Sequence, residues 1–247
     1  MNWTSTGDDA GPRLLCVAAH PFGPRMFTRL AQTLVASYRV EAAVNEEACT
    51  PDALVSRVGA DDESPCLLVL QGLESERCLA RLGSAVEAFA GLVVLGGPPP
   101  AASLADSEFG HWFARHRTTL AALDPEDRFE LLLRHLGEGR SPIVEPFRSA
   151  LREEAGPVGL EALFDASADG DALPRGFAEA TRTLPALHIR GDRDRTAAGG
   201  SRSAPSGSEA RTAMLPGVGH FPGLEAADMT ATLIDSFARM VTTEGGL

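Results

Sequence analysis

The 247-residue chain contains no lysine: its 22 basic residues are all arginine, set against 34 acidic ones, for a net charge of −12. Without lysine there is no phosphate-cradling loop of the Gly-Lys-Ser/Thr type. The negative field repels phosphate backbones and anionic lipid, so neither nucleic acid nor a membrane is an expected partner. No run approaches the ~18 apolar residues of a membrane span. The first dozen residues carry Asp8 and Asp9 and no apolar core, unlike a signal peptide. Cysteine is scarce: Cys16, Cys49, Cys66 and Cys78 form no close-spaced pair, and Cys16 and Cys66 sit in apolar runs. Reduced thiols and a cytoplasmic setting are expected. His111 and His116 are five apart, poor spacing for one helical face, so no metal site is expected. Gly96-Gly97-Pro98 lacks the dinucleotide-binding pattern, which leaves no cofactor motif.

What is present suits one globular α/β domain with an insert, at 44% hydrophobic and 23% charged residues. Residues 1–12 read as a loose arm and 242–247 as a flexible tail. Leu14 to Ala19 is a continuous apolar run, the pattern of a strand buried on both faces. Similar runs recur at Tyr38 to Val44, Cys66 to Leu70, Gly91 to Leu95, Ala186 to Arg190 and Thr212 to Leu215. Helical periodicity separates them at Met26 to Ser37, at Pro51 to about Val58 behind a Thr50 cap, and from about Ser75 to Phe89. A final helix is expected from Asp228 to about Val241. Residues 103–183 are helical in period and lack strands; they read as an inserted lid between core segments 13–102 and 184–241. Such alternation predicts a mostly parallel sheet of about six strands with helices on both faces, whose chemistry gathers at the carboxyl ends of the strands.

The residues at those ends carry a resemblance. Gly191-Asp192-Arg193-Asp194 after a strand resembles the triad-acid loop of the α/β-hydrolase superfamily, and Pro216 to Pro222 with Leu224-Glu225 resembles its histidine loop. His20-Pro21-Phe22-Gly23 resembles its oxyanion loop, and Gly91 to Pro100 the strand after its nucleophile helix. The likeness spans roughly Leu14 to Val241 and implies an α/β-hydrolase fold. The superfamily's nucleophile elbow reads Gly-x-Ser-x-Gly, whereas the matching place here reads Gly72-Leu73-Glu74-Ser75-Glu76. Glu74 takes the nucleophile position; Ser75 stands one place late, where it more naturally starts the next helix.

The resemblance implies His220 as the proton-moving residue and Asp194 as its acid, with Asp192 second in that role. Glu74 would be a general base or a nucleophile, as the related aspartate is in epoxide hydrolases and dehalogenases of this fold. The amides of Phe22 and of Leu73 or Ser75 would form an oxyanion hole; Pro21 has no N–H to give. His20, Phe22, Trp112 and Phe221 would line the substrate pocket. The leading expectation is a cofactor-independent enzyme doing acid–base chemistry on a small carbonyl compound, by elimination, cyclisation, lyase or isomerase steps. The all-arginine basic set points to GC-rich coding and, by association, to specialised-metabolite biosynthesis. The alternatives are a hydrolase of an ester, thioester, lactone or epoxide using Ser75 or Glu74, and a non-catalytic ligand- or partner-binding relative. Either a monomer or a homodimer fits.

Overall fold

The computed structural model describes residues 4–8, 11–18, 22–44, 50–59, 65–72, 75–97, 107–138, 142–154, 180, 182–196 and 210–244. Its centre is a seven-stranded sheet: β1 (Thr4–Gly7), β2 (Arg13–Ala18), β3 (Arg39–Val44), β4 (Cys66–Gln71), β5 (Gly91–Leu95), β6 (Ala186–Gly191) and β7 (Ala210–Leu215). The spatial order is β1-β3-β2-β4-β5-β6-β7, and every pairing except β1–β3 is parallel. In β2, β4 and β5 each residue is buried, so the continuous apolar runs reflect a sheet covered on both faces.

The pleat splits these runs between two cores. Leu14, Cys16 and Ala18 face one way, with Val69, Val93 and Ile189 from neighbouring strands. Over them pack α1 (Thr28–Leu34) and the C-terminal helix Ala227–Glu244, through Leu30, Leu34, Ile234 and Phe237. Leu15 and Val17 face the other way with Leu68 and Leu70. They are covered by α2 (Pro51–Gly59) and α3 (Ser75–Leu82) through Leu54, Leu79 and Leu82. Each such side chain contributes about 1.5–3 kcal/mol on burial. Thr50 Oγ1 accepts the Ala53 N–H at 3.3 Å, and Pro51 is the first helical residue of α2, as the sequence predicts.

Three expectations change. Residues 4–7 are not a loose arm: they form the edge strand β1, antiparallel to β3, with all four side chains exposed. A strand with no buried face leaves no apolar alternation to read, and it raises the strand count from six to seven. The helix predicted to Phe89 ends at Leu82; Gly83, at φ +50°, passes the chain into a 3-10 helix, Gly83–Ala88. The thiols are not all reduced: Cys16 and Cys66 are free, but Cys78 is disulfide-bonded. Cys49 lies outside the described residues.

Between β5 and β6 the described residues form no strand. They hold α4 (Glu108–Ala122), capped by Ser107 Oγ on Gly110 N–H, and α5 (Pro125–Leu133), capped by Asp124 on Glu126 and Asp127. Residues 148–154 add two further helical turns. Phe109, Phe113, Phe129 and Leu133 of this insert join the core cluster beneath α1. No described helix is long and apolar enough to cross a membrane.

Candidate active site

The chain leaves β2 for β3 on one side and then crosses back past it to β4 on the other, so the strand order reverses at β2. Such a switch point opens a crevice outside the carboxyl ends of the strands. The loops after β2 and β4 border it, and the loops after β6 and β7 carry the predicted acid and histidine.

The structure brings His220 and Asp194 together. The imidazole Nδ1 lies 3.2 Å and 3.1 Å from the two carboxylate oxygens, and both side chains are fully buried. A carboxylate only accepts, so Nδ1–H is the donor and Nε2 is left as the ring's proton acceptor. Asp194 takes three more hydrogen bonds: Thr196 N–H at 2.9 Å, Thr196 Oγ1–H at 2.6 Å and Gly97 N–H at 3.0 Å. Burial alone would push its pKa up. The His220 charge and the bonds from His220 and Thr196 outweigh this and hold the carboxyl below the usual range. It is therefore ionised at neutral pH.

The frame around the pair is built from close backbone approaches. Gly96 has φ +67°, and a Cβ there would meet the His220 carbonyl oxygen at 2.4 Å, so only glycine fits. Gly191 is equally constrained, because its Cβ would fall 1.9 Å from the Val218 carbonyl oxygen. The buried His188 on β6 places Nε2 3.1 Å from the Gly96 carbonyl. Desolvation pushes the His188 pKa down to about 4, so the ring is neutral and its Nε2–H donates. The Glu225 carboxylate accepts N–H bonds from Gly219 and Phe221, clamping both flanks of His220. Gln71, buried at the end of β4, donates to the His220 carbonyl at 3.4 Å.

Asp192, the second choice for the acid, is exposed and accepts the Gly217 N–H at 2.7 Å. It shapes the histidine loop rather than orienting the ring. Thr196, Gly97, His188 and Gln71 were not singled out from sequence. Thr196 had a readable signal: an Asp followed two residues later by a hydroxyl residue is a local turn in which that residue bonds back. The others are placed by the topology of β4, β5 and β6.

On the opposite side, β4 ends at Gly72, whose φ of +128° makes the tight strand-to-helix turn. Ser75, the first residue of α3, is buried, and its Oγ–H donates to the Gly72 carbonyl at 2.9 Å. That hydroxyl is turned back onto the elbow backbone; it is not hydrogen-bonded to His220. Leu73, Glu74 and His20 lie outside the described residues. Phe22 is buried, with its ring edge-on to Phe221 at 4.9 Å and to Phe129 of the insert at 6.1 Å. Phe221 is also edge-on to the His220 ring at 5.2 Å, so Phe22 and Phe221 stand beside the pair. Trp112 packs at the margin of the same core cluster and stacks on His135 at 3.7 Å and on His116 at 5.5 Å. The insert nevertheless touches the acid loop, through Phe109 N–H to the Arg195 carbonyl at 2.9 Å.

No protein-family model matches the chain, and no curated protein does. Solved structures do. An esterase from Thermogutta terrifontis is 16% identical over 97% of this chain and 93% of its own, with a TM-score of 0.64. A protein from Pseudomonas aeruginosa assigned as an epoxide hydrolase is 18% identical over 98% and 92%, with a TM-score of 0.65. A haloalkane dehalogenase loop variant from Bradyrhizobium elkanii is 11% identical over 98% and 94%, with a TM-score of 0.63. At these identities the likeness concerns architecture, and the chain has the α/β-hydrolase fold.

Proposed function

We propose that this chain is a small-molecule hydrolase in which His220 and Asp194 handle protons and Glu74 supplies the nucleophile. The observation that carries the reading is the fully buried His220–Asp194 pair, set opposite a Ser75 hydroxyl that is bonded to Gly72 instead. A serine mechanism requires the hydroxyl to give its proton to the imidazole. With Ser75 turned away, the carboxylate one residue earlier is the remaining elbow nucleophile.

A carboxylate attacking an ester carbonyl would form a high-energy anhydride, whereas at a saturated carbon it forms an ordinary ester. An epoxide is therefore the preferred substrate class. A Glu74 oxygen forms a bond to a ring carbon as that carbon–oxygen bond breaks, and the ring oxygen takes a proton from water. Water then attacks the Glu74 ester carbonyl while His220 Nε2 takes its proton, and Asp194 stabilises the resulting imidazolium. The amide of Phe22 and that of Leu73 or Ser75 hold the tetrahedral oxyanion. Collapse expels the diol oxygen, which takes the proton held by His220, and the Glu74 carboxylic acid gives its proton to the hydroxide left by ring opening, which restores the carboxylate. The insert acts as the lid, and Phe22 and Phe221 form the apolar wall beside the reacting atoms.

Fold neighbours assigned as epoxide hydrolase, dehalogenase and esterase support hydrolysis over the elimination, cyclisation, lyase and isomerase chemistry expected first. The test is a panel of epoxides and p-nitrophenyl esters against Glu74→Gln, Ser75→Ala and His220→Ala. Glu74→Gln and His220→Ala should abolish turnover while Ser75→Ala retains most of it. Loss confined to Ser75→Ala and His220→Ala would return the serine mechanism. Binding without turnover in the wild type would return the non-catalytic reading.

A further inference from the structure

The loop that would donate the oxyanion amide is gripped from outside the sheet. Glu154, in the helical residues 148–154 of the insert, accepts the Arg25 N–H on both oxygens, at 3.1 Å and 3.3 Å. The Arg25 guanidinium lies 3.5 Å from the same carboxylate, and the Glu154 side chain is 18% exposed. Its carboxylate thus lies against the peptide chain three residues beyond Phe22. Gly23 adds independent support. Its φ of −109° and ψ of −173° are extended backbone open to any residue, so conformation does not demand glycine there. Space does: a Cβ on Gly23 would meet Glu154 Oε2 at 2.5 Å and Glu154 Cβ and Cδ at 2.6 Å. Gly23 is the slot into which the Glu154 side chain fits. The helical residues 148–154 are tied to α5 behind it: Arg148 pairs with Glu130 and Arg152 with Glu126. The same α5 sets Phe129 against Phe22.

We propose that Glu154 is a positioning residue: seated in the Gly23 slot and bonded to the Arg25 amide, it clasps the lid to the oxyanion loop and fixes the Phe22 amide for reaction. The proposal rests on the function given above for the role of that amide, but the clasp itself does not. Burial raises the Glu154 pKa, helped by neighbouring Glu153 and opposed by the Arg25 amide and guanidinium. Protonation removes the charge and one of the two acceptor oxygens, so acid loosens the clasp.

The test is hydrogen–deuterium exchange of the amides of residues 22–27 in the full chain. Wild type, Glu154→Ala, Glu154→Gln, Gly23→Ala and the Gly23→Ala/Glu154→Ala double variant are compared at pH 7 and pH 5, with intrinsic exchange corrected. Glu154→Ala and Gly23→Ala should each speed exchange about tenfold at pH 7, and the double variant no more than either. Glu154→Gln, neutral like the protonated carboxyl and left with one acceptor oxygen, should exchange at pH 7 as the wild type does at pH 5, between wild type and Glu154→Ala, and show no further acceleration at pH 5. Independent, additive effects of the two sites, or a wild-type-like Glu154→Ala, would overturn the proposal. If Gly23→Ala does not fold, Glu154→Ala against Glu154→Gln decides it. Turnover, once found, should lose kcat at nearly constant KM in Glu154→Ala. A wild type that turns over nothing removes the proposed function while exchange still judges the clasp.

Discussion

The loops after β6 and β7 and the loops after β2 and β4 solve the same problem differently. On the β6–β7 side, the groups that hold the catalytic pair are mostly close in sequence. Asp194 is bound by Thr196, Asp192 by Gly217, and His220 is flanked by amides tied to Glu225. The Gly97 amide, the His188–Gly96 bond and the Gln71 bond to the His220 carbonyl come from other strands. On the β2–β4 side, the described support is distant: Phe22 rests on Phe129 and Phe221, and Arg25 on Glu154, 129 residues away. The half that carries His220 and Asp194 is thus braced largely by its own two loops, and the half that carries Phe22 leans on the insert. A fold that hosts many reactions can keep the first and vary the second.

The largest effect expected from breaking the frame is on turnover. His220→Ala should lower kcat by at least ~10³-fold, and Asp194→Asn by ~10²- to 10⁴-fold, because an amide can present the wrong partner to Nδ1. Gly96→Ala should come next, costing on the order of 3 kcal/mol by urea denaturation, since its Cβ would fall 2.4 Å from the His220 carbonyl oxygen at a φ of +67°. Thr196→Val removes one of the four donors to Asp194 while keeping its shape. It should cost about 1 kcal/mol and roughly tenfold in kcat.

The frame also has an acid limit. Folded His188 titrates near 4 and an unfolded histidine near 6.5, so the unfolded chain binds more protons between those values. The stability due to neutral His188 is complete above pH ~6.5 and falls as the pH drops toward 4, by up to about 3 kcal/mol. His188→Gln, which can still donate to Gly96, should flatten that part of a stability–pH profile. An unchanged profile would remove His188 from the frame's energetics.

Much of this architecture was legible because burial on both faces writes strands as apolar runs, as in Leu14 to Ala18 and Cys66 to Leu70. Asp194 and His220 were legible because loops at strand ends keep a local pattern. The edge strand Thr4–Gly7 was hidden, since exposed side chains held by backbone bonds leave no hydrophobic period. His188 read as one more strand residue, and only the β5–β6 pairing puts it under Gly96. Glu154 was one of 34 acidic residues until the chain placed it against Gly23. The stacking of Trp112 on His116 and His135 was likewise hidden, since it joins separate turns of the insert.

The central claim is that the His220–Asp194 pair serves Glu74 and not Ser75. The most direct measurement is mass spectrometry of the His220→Gln variant after incubation with a reactive epoxide such as styrene oxide, followed by peptide mapping. Without the base that activates water, the ester should accumulate: one whole epoxide mass added, located on Glu74 and absent from Glu74→Gln/His220→Gln. An adduct on Ser75, or the same adduct persisting without Glu74, would contradict the account.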